Sequence, residues 1–177
     1  MLYFAIYQSI EDGYDTFIVG GARGIDLMAA EMVYQFIYQG KNIRLLMAMP
    51  YPGFGSNYKS MDLYLRGNAI AESEQVFYVC DKYEPGCYRK RNQYMVDRSS
   101  RLIAVVADMN SGTGQTIRYA EKSGLEMNII NAAKLSGIID RAADENVEIV
   151  EETTKIKNVV RIYLNEENGN NDDEKSD

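Results

Sequence analysis

Two glycine-rich stretches carry the residue types that could do chemistry. The first, GGARGID at Gly20 to Asp26, closes a short apolar run and opens into a helix-like pattern. Glycine lets backbone N–H groups approach a ligand closely, and the following helix turns its positive end toward an anion. In this loop Gly20, Gly21 and Gly24 give the close approach, and Arg23 can add a charge-assisted bond to phosphate. Asp26 could accept from a ribose hydroxyl or simply complement the helix dipole. The spacing is not GxGxxG, so a plain strand-to-helix turn reads equally well from this loop alone.

The second stretch, DMNSGTGQT at Asp108 to Thr116, follows the most apolar run of the chain. Ser111, Thr113 and Thr116 supply hydroxyls, while Gly112 and Gly114 supply room. An ordinary helix N-cap explains Ser or Thr here as well, and the two readings are compatible. A pair of such loops suits a ligand with two anionic or polar ends, such as a nucleotide. The one basic concentration, YRKRNQYMVDR at Tyr88 to Arg98, leads into the strand that ends at the second loop. That would place Arg91 and Asn92 at the rim of the same cleft, one helical turn from Met95. The bland alternative is a solvated helix face.

Composition narrows the chemistry. The chain has no histidine, which removes the commonest general base, metal ligand and catalytic triad member. Cys80 and Cys87 are its two cysteines, too few for a zinc site. They are expected as a core Cys80 and a surface Cys87. No metal and no resident cofactor are expected, and no catalytic residue can be named. A net charge of -7 and a pI of 4.8 argue against a phosphate-gripping nucleic-acid binder. No run approaches the ~18 apolar residues of a membrane span, and residues 1–10 lack a signal-peptide pattern, so a cytoplasmic protein without membrane partners is expected.

These loops need elements to hold them. Asp15 to Gly20, Arg44 to Met49, Gln75 to Cys80, Leu102 to Ala107 and Met127 to Asn131 are short and continuously apolar, as strands buried on both faces of a parallel sheet are. Helices are expected over Ile25 to Tyr38, Tyr58 to Ala71, Arg89 to Ser99 and Thr113 to Ser123, the last closed by Gly124. Alternating strands and helices imply a doubly wound α/β domain, whose ligands sit beyond the carboxyl ends of the strands. Leu135 to Leu164 adds a further helix and one or two strands (VEIVEE, NVVRIYL). Residues 1–164 then form one domain and 165–177, NEENGNNDDEKSD, an acidic disordered tail.

In this order, GGARGIDLMAAEMV, the strand ending Met49-Pro50, and RNQYMVDRSSRLIAVVADMNSGTGQTIRYAEKSG resemble the SLOG superfamily. This Rossmann-like group includes the DprA/Smf DNA-processing proteins, the LOG phosphoribohydrolases and the YpsA-like proteins, and the YpsA-like branch is the best match. The likeness runs roughly from Gly13 to Asn131. It implies a three-layer, doubly wound, mainly parallel Rossmann-like sheet that binds a nucleotide or a nucleotide-derived ligand of the ADP-ribose or NAD type. The implied pocket takes Gly20, Gly21, Arg23, Gly24 and Asp26 from one loop and Ser111, Gly112, Thr113 and Thr116 from the other, with Arg91 and Asn92 at its rim. Relatives often dimerise, so a homo-oligomer is implied too.

Three departures bear on function. Arg91 matches the arginine that LOG enzymes use, but Thr116 stands where they carry a glutamate. The sheet is expected to lack the family's opening strand, because MLYFAIYQSIEDGYD reads as the end of the first helix. The acidic balance leaves a DNA-processing role of the DprA kind unexpected. The leading expectation is therefore a nucleotide-binding or sensing module. The alternatives are a nucleoside monophosphate phosphoribohydrolase, or N-glycosidase, using Asp26, Asp108 or Glu121, and a non-enzymatic protein-interaction regulator.

Overall fold

The computed structural model describes residues 1–133. The expected elements over Leu135 to Leu164 and the acidic stretch 165–177 lie outside the described residues. Five helices alternate with five strands: α1 (Leu2–Glu11), β1 (Thr16–Val19), α2 (Ile25–Tyr38), β2 (Arg44–Met49), α3 (Ser60–Glu72), β3 (Gln75–Tyr78), α4 (Cys87–Val96), β4 (Arg101–Val106), α5 (Gly112–Lys122) and β5 (Glu126–Asn131). This is the α/β Rossmann-like arrangement expected.

The strands are parallel, because each is followed by a helix that returns the chain to the same edge. They fall into two sheets, β1-β2-β3 and β4-β5. Phe17 pairs with Leu45 and Met47 with Val76 in the first; Ile103 pairs with Asn128 in the second. Among the described residues β1 pairs with β2 alone and β4 with β5 alone, so the parallel array is interrupted between β1 and β4.

The pleat sends Phe17, Val19, Leu45 and Met47 to one face, where they pack with Ala5 and Ile6 of α1 and Ala30, Val33 and Phe36 of α2. Ile103 and Ile130 of the second sheet join that same core. On the opposite face Leu102 and Ala104 pack with Met95 and Val96 of α4 and Ile117 and Ala120 of α5. The result is three layers.

An ionic cluster crosses the seam between the sheets. Arg101, the first residue of β4, is 1% exposed. Its guanidinium lies 3.1 Å from Asp12 in the α1–β1 turn and 3.0 Å from Glu126 of β5, and stacks 3.9 Å from the Tyr14 ring centre. Charge pairing and cation–π contact here bridge two sheets that share no ladder at this point.

The sequence placed α2 and β2 at their observed limits and set the stop of α5 at Gly124. That glycine takes φ 72°, and the Leu125 N–H reaches back to the Ala120 carbonyl. The cysteines are the reverse of expectation: Cys80 is half-buried and Cys87 is buried. Cys80 follows β3, which among the described residues is the outer strand of its sheet; Cys87 opens α4 and faces inward.

Among the described residues no helix is long and apolar enough to cross a membrane.

Candidate functional site

The first loop leaves β1 and enters α2. Gly21 and Gly24 both take left-handed φ, 74° and 73°, so the chain turns sharply twice within four residues. Asp26, in the first turn of α2, closes the loop on itself: its Oδ2 accepts the Ala22 N–H at 3.0 Å. Gly20 answers a different demand. A Cβ there would sit 1.6 Å from Nη1 of Arg91, so only a bare backbone can pass over that guanidinium.

Arg91 is the main departure from the expected geometry. The sequence reading puts it at the rim of a cleft, yet it is 2% exposed. The reason is helical spacing. Arg91 and Met95 share one face of α4, and that face is turned inward rather than to solvent. Its Nη1 lies 3.5 Å from Oδ2 of Asp26, itself 1% exposed. A buried cation without a partner would be costly, so Asp26 is what allows Arg91 to sit there. The Arg91 Nε and Nη1 atoms make no hydrogen bond in the structure.

Arg23 stays exposed. It lies 3.8 Å from Asp62 of α3 and stacks 4.7 Å from the centre of the Tyr58 ring. The Tyr58 hydroxyl donates to the Gly21 carbonyl at 3.4 Å. Burial pushes the Tyr58 hydroxyl up to about 12, and the Asp26 carboxylate adds to that, so Tyr58 remains a neutral donor at any physiological pH.

The second loop leaves β4 and enters α5. Ser111 caps the helix by accepting the Gly114 N–H at 3.2 Å, so the ordinary capping role holds here. Gly114 is required because a Cβ would fall 1.9 Å from the Met109 carbonyl oxygen, which folds back over the helix start. The Thr116 hydroxyl donates to the Gly112 carbonyl at 3.1 Å and accepts from Nδ2 of Asn92 at 3.0 Å. Thr113 and Thr116 are both buried.

Consecutive residues of α4 therefore reach the two loops: Arg91 the first, Asn92 the second. The loops follow β1 and β4, the strands on either side of the seam. From β1 the chain runs outward to β2 and β3, then returns to β4 and β5. In one continuous sheet such a reversal would be a topological switch point, where open α/β sheets bind their ligands; here it falls between two separate ladders.

With this geometry, the comparisons with known proteins fall into place. The model of the YspA SLOG family matches residues 1–135. The chain belongs to this family. It is similar to a UPF0398 protein of Bacillus cereus strain B4264, with 26% identity over 133 residues, 74% of this chain and 66% of that protein. A UPF0398 protein of Bacillus thuringiensis strain Al Hakam matches to the same extent. A third, from Bacillus cereus strain G9842, is 26% identical over 118 residues, 65% of this chain and 64% of its own length. The chain thus spans just under two thirds of these relatives.

A cavity of about 520 Å3 opens between α4 and α5. Asn92 of α4 and Gly112 and Thr116 of the second loop line it, and no first-loop residue is among its lining. Near the first loop stands an aromatic group that the sequence did not flag. Tyr51 contacts Phe54, Tyr83 and Tyr88 edge-on or tilted at 5.5 to 6.3 Å between ring centres, and Phe54 meets Tyr58 at 6.0 Å. Burial and the Tyr51 hydroxyl hold the Tyr88 hydroxyl well above the usual phenol range. The run of aromatics in YPGFGSNY after Met49 was the available signal.

Proposed function

We propose that this protein binds a nucleotide or nucleotide-derived ligand, of the ADP-ribose or NAD type, as a binding or sensing module. The observation that carries the reading is the bridging by α4. Arg91 meets Asp26 of the first loop, and Asn92 meets Thr116 of the second, beyond the carboxyl ends of β1 and β4. Glycine-rich backbone and the N-terminal ends of α2 and α5 suit phosphate, and the tyrosine cluster beside the first loop suits a flat base. A cavity of about 520 Å3 falls in the size range of small-ligand sites.

The phosphoribohydrolase reading has less support. An N-glycosidase needs a carboxylate free to stabilise an oxocarbenium-like centre. Asp26 is committed to Arg91 and to the Ala22 N–H, and the Thr116 hydroxyl is shared between Asn92 and Gly112. Homo-oligomerisation belongs to the same proposal, and sedimentation of the full chain checks it.

The test is calorimetric titration of the full chain with AMP, ADP-ribose, NAD and cyclic nucleotides, beside native mass spectrometry of the purified protein. Heat from at least one titration, or a co-purified nucleotide, is expected. Neither appearing contradicts the proposal. Release of free base from a nucleoside monophosphate would instead favour hydrolysis.

A further inference from the structure

The cavity between α4 and α5 extends well past the loop that opens it. On α5, Gln115, Arg118, Tyr119 and Lys122 recur at helical spacing; on α4, Arg89, Asn92 and Gln93 do the same. Two helix faces therefore form the walls of a groove. Its upper end lies at Gly86 and Gly112, where α4 and α5 both begin. The positive ends of two helices meet there.

The charge of this groove is opposite to that of the chain. Arg89, Arg118 and Lys122 line it, and no aspartate or glutamate stands among its described lining residues, in a protein of net charge -7. Among the described residues neither Arg89 nor Lys122 is within ion-pair distance of a carboxylate. Arg118 is positioned rather than neutralised: its Nη1 donates to the Met109 carbonyl of the second loop at 2.7 Å. From Thr116 to Lys122 the helix rises about 9 Å, the scale of a phosphate chain rather than of a single phosphate. Three cations exceed what one phosphate monoester, with about two negative charges, would match.

We infer that the α4–α5 groove holds the polyphosphate chain of a nucleoside di- or triphosphate, its nucleoside end directed to the strand-end loops. The inference rests on the nucleotide reading above and names the ligand class within it. Arg89, one turn into α4, binds the phosphate nearest the helix starts, Lys122 at the end of α5 binds the distal one, and Arg118 between them ties the chain to the second loop.

The experiment is calorimetry of the full chain with AMP, ADP, ATP and inorganic tripolyphosphate, without divalent metal, repeated on the double variant Arg89→Ala/Lys122→Ala. Both side chains are exposed on helix surfaces, and circular dichroism verifies the fold. ADP and ATP are expected to bind about tenfold or more tighter than AMP, a ratio that falls toward one in the variant. Equal affinity for AMP, ADP and ATP, or a preference that survives in the variant, overturns the inference and leaves the nucleotide reading standing. Tripolyphosphate bound without any nucleotide, and lost in the variant, overturns the inference that the groove serves a nucleotide. No heat from any of the four overturns the inference as well, and the nucleotide reading is then decided by the ADP-ribose, NAD and cyclic-nucleotide titrations.

Discussion

Nη1 of Arg91 lies 3.5 Å from Oδ2 of Asp26, and both side chains are 2% exposed. This ion pair joins α4 to the first turn of α2 beneath the glycine loop. Removing one partner of such a pair leaves the other charged and buried, which costs about 3–5 kcal/mol. Asp26→Asn and Arg91→Met should each lower unfolding stability on that scale in urea titrations. The double variant should lose less than the sum, because neither charge is then stranded. Additive losses would show that the two groups do not depend on each other.

Gly20 is tied to the same pair. Gly20→Ala places a methyl where the Arg91 guanidinium now sits, an overpacking expected to cost about 1–3 kcal/mol. In an Arg91→Ala background the obstruction is gone, and the same substitution should cost much less. Equal costs in the two backgrounds would mean that Gly20 is required for another reason.

Tyr58 gives a pH signature. Its hydroxyl is raised from 10.0 to about 12 in the folded protein. Between those values the unfolded chain releases a proton that the folded one keeps. Stability therefore falls as pH rises from 10 toward 12 and is unaffected below that window. Tyr58→Phe should make this decline shallower, leaving the share contributed by Tyr88 and the other raised tyrosines. A variant with an unchanged decline would place the responsible group elsewhere.

Arg101 tests the seam. Arg101→Met removes the contacts to Asp12, Glu126 and the Tyr14 ring together. A loss of about 2–3 kcal/mol is expected, less than for a fully buried pair because Glu126 can reach water. Amide exchange should accelerate locally at Tyr14 to Thr16 and at Glu126. Uniform acceleration across all strands would argue that the cluster does not join the sheets in particular.

Much of the architecture was legible because strand and helix periods are local properties. RLLMAM reads as a doubly buried strand, and α2 reads from the loop that starts it to its last turn. Strand partnership is not local, and nothing in the period of LIAVV says that it pairs with MNIIN and not with TFIV. The same limit explains the site. Arg91 sits in a run of charges that reads as a solvated face, and only its spacing to Met95 pointed inward. The tyrosine cluster was hidden because Tyr51 and Tyr58 lie in one segment and Tyr83 and Tyr88 in another, and only folding brings the two together.

The central claim is that the loops following β1 and β4 serve one ligand through α4. Amide chemical shifts of isotope-labelled protein, followed during titration with ATP, test it most directly. The account predicts that residues 20–26 and 111–116 shift together, with one dissociation constant, and that the Arg91 and Asn92 amides move with them. Shifts confined to one loop, or two loops titrating with different constants, would contradict it.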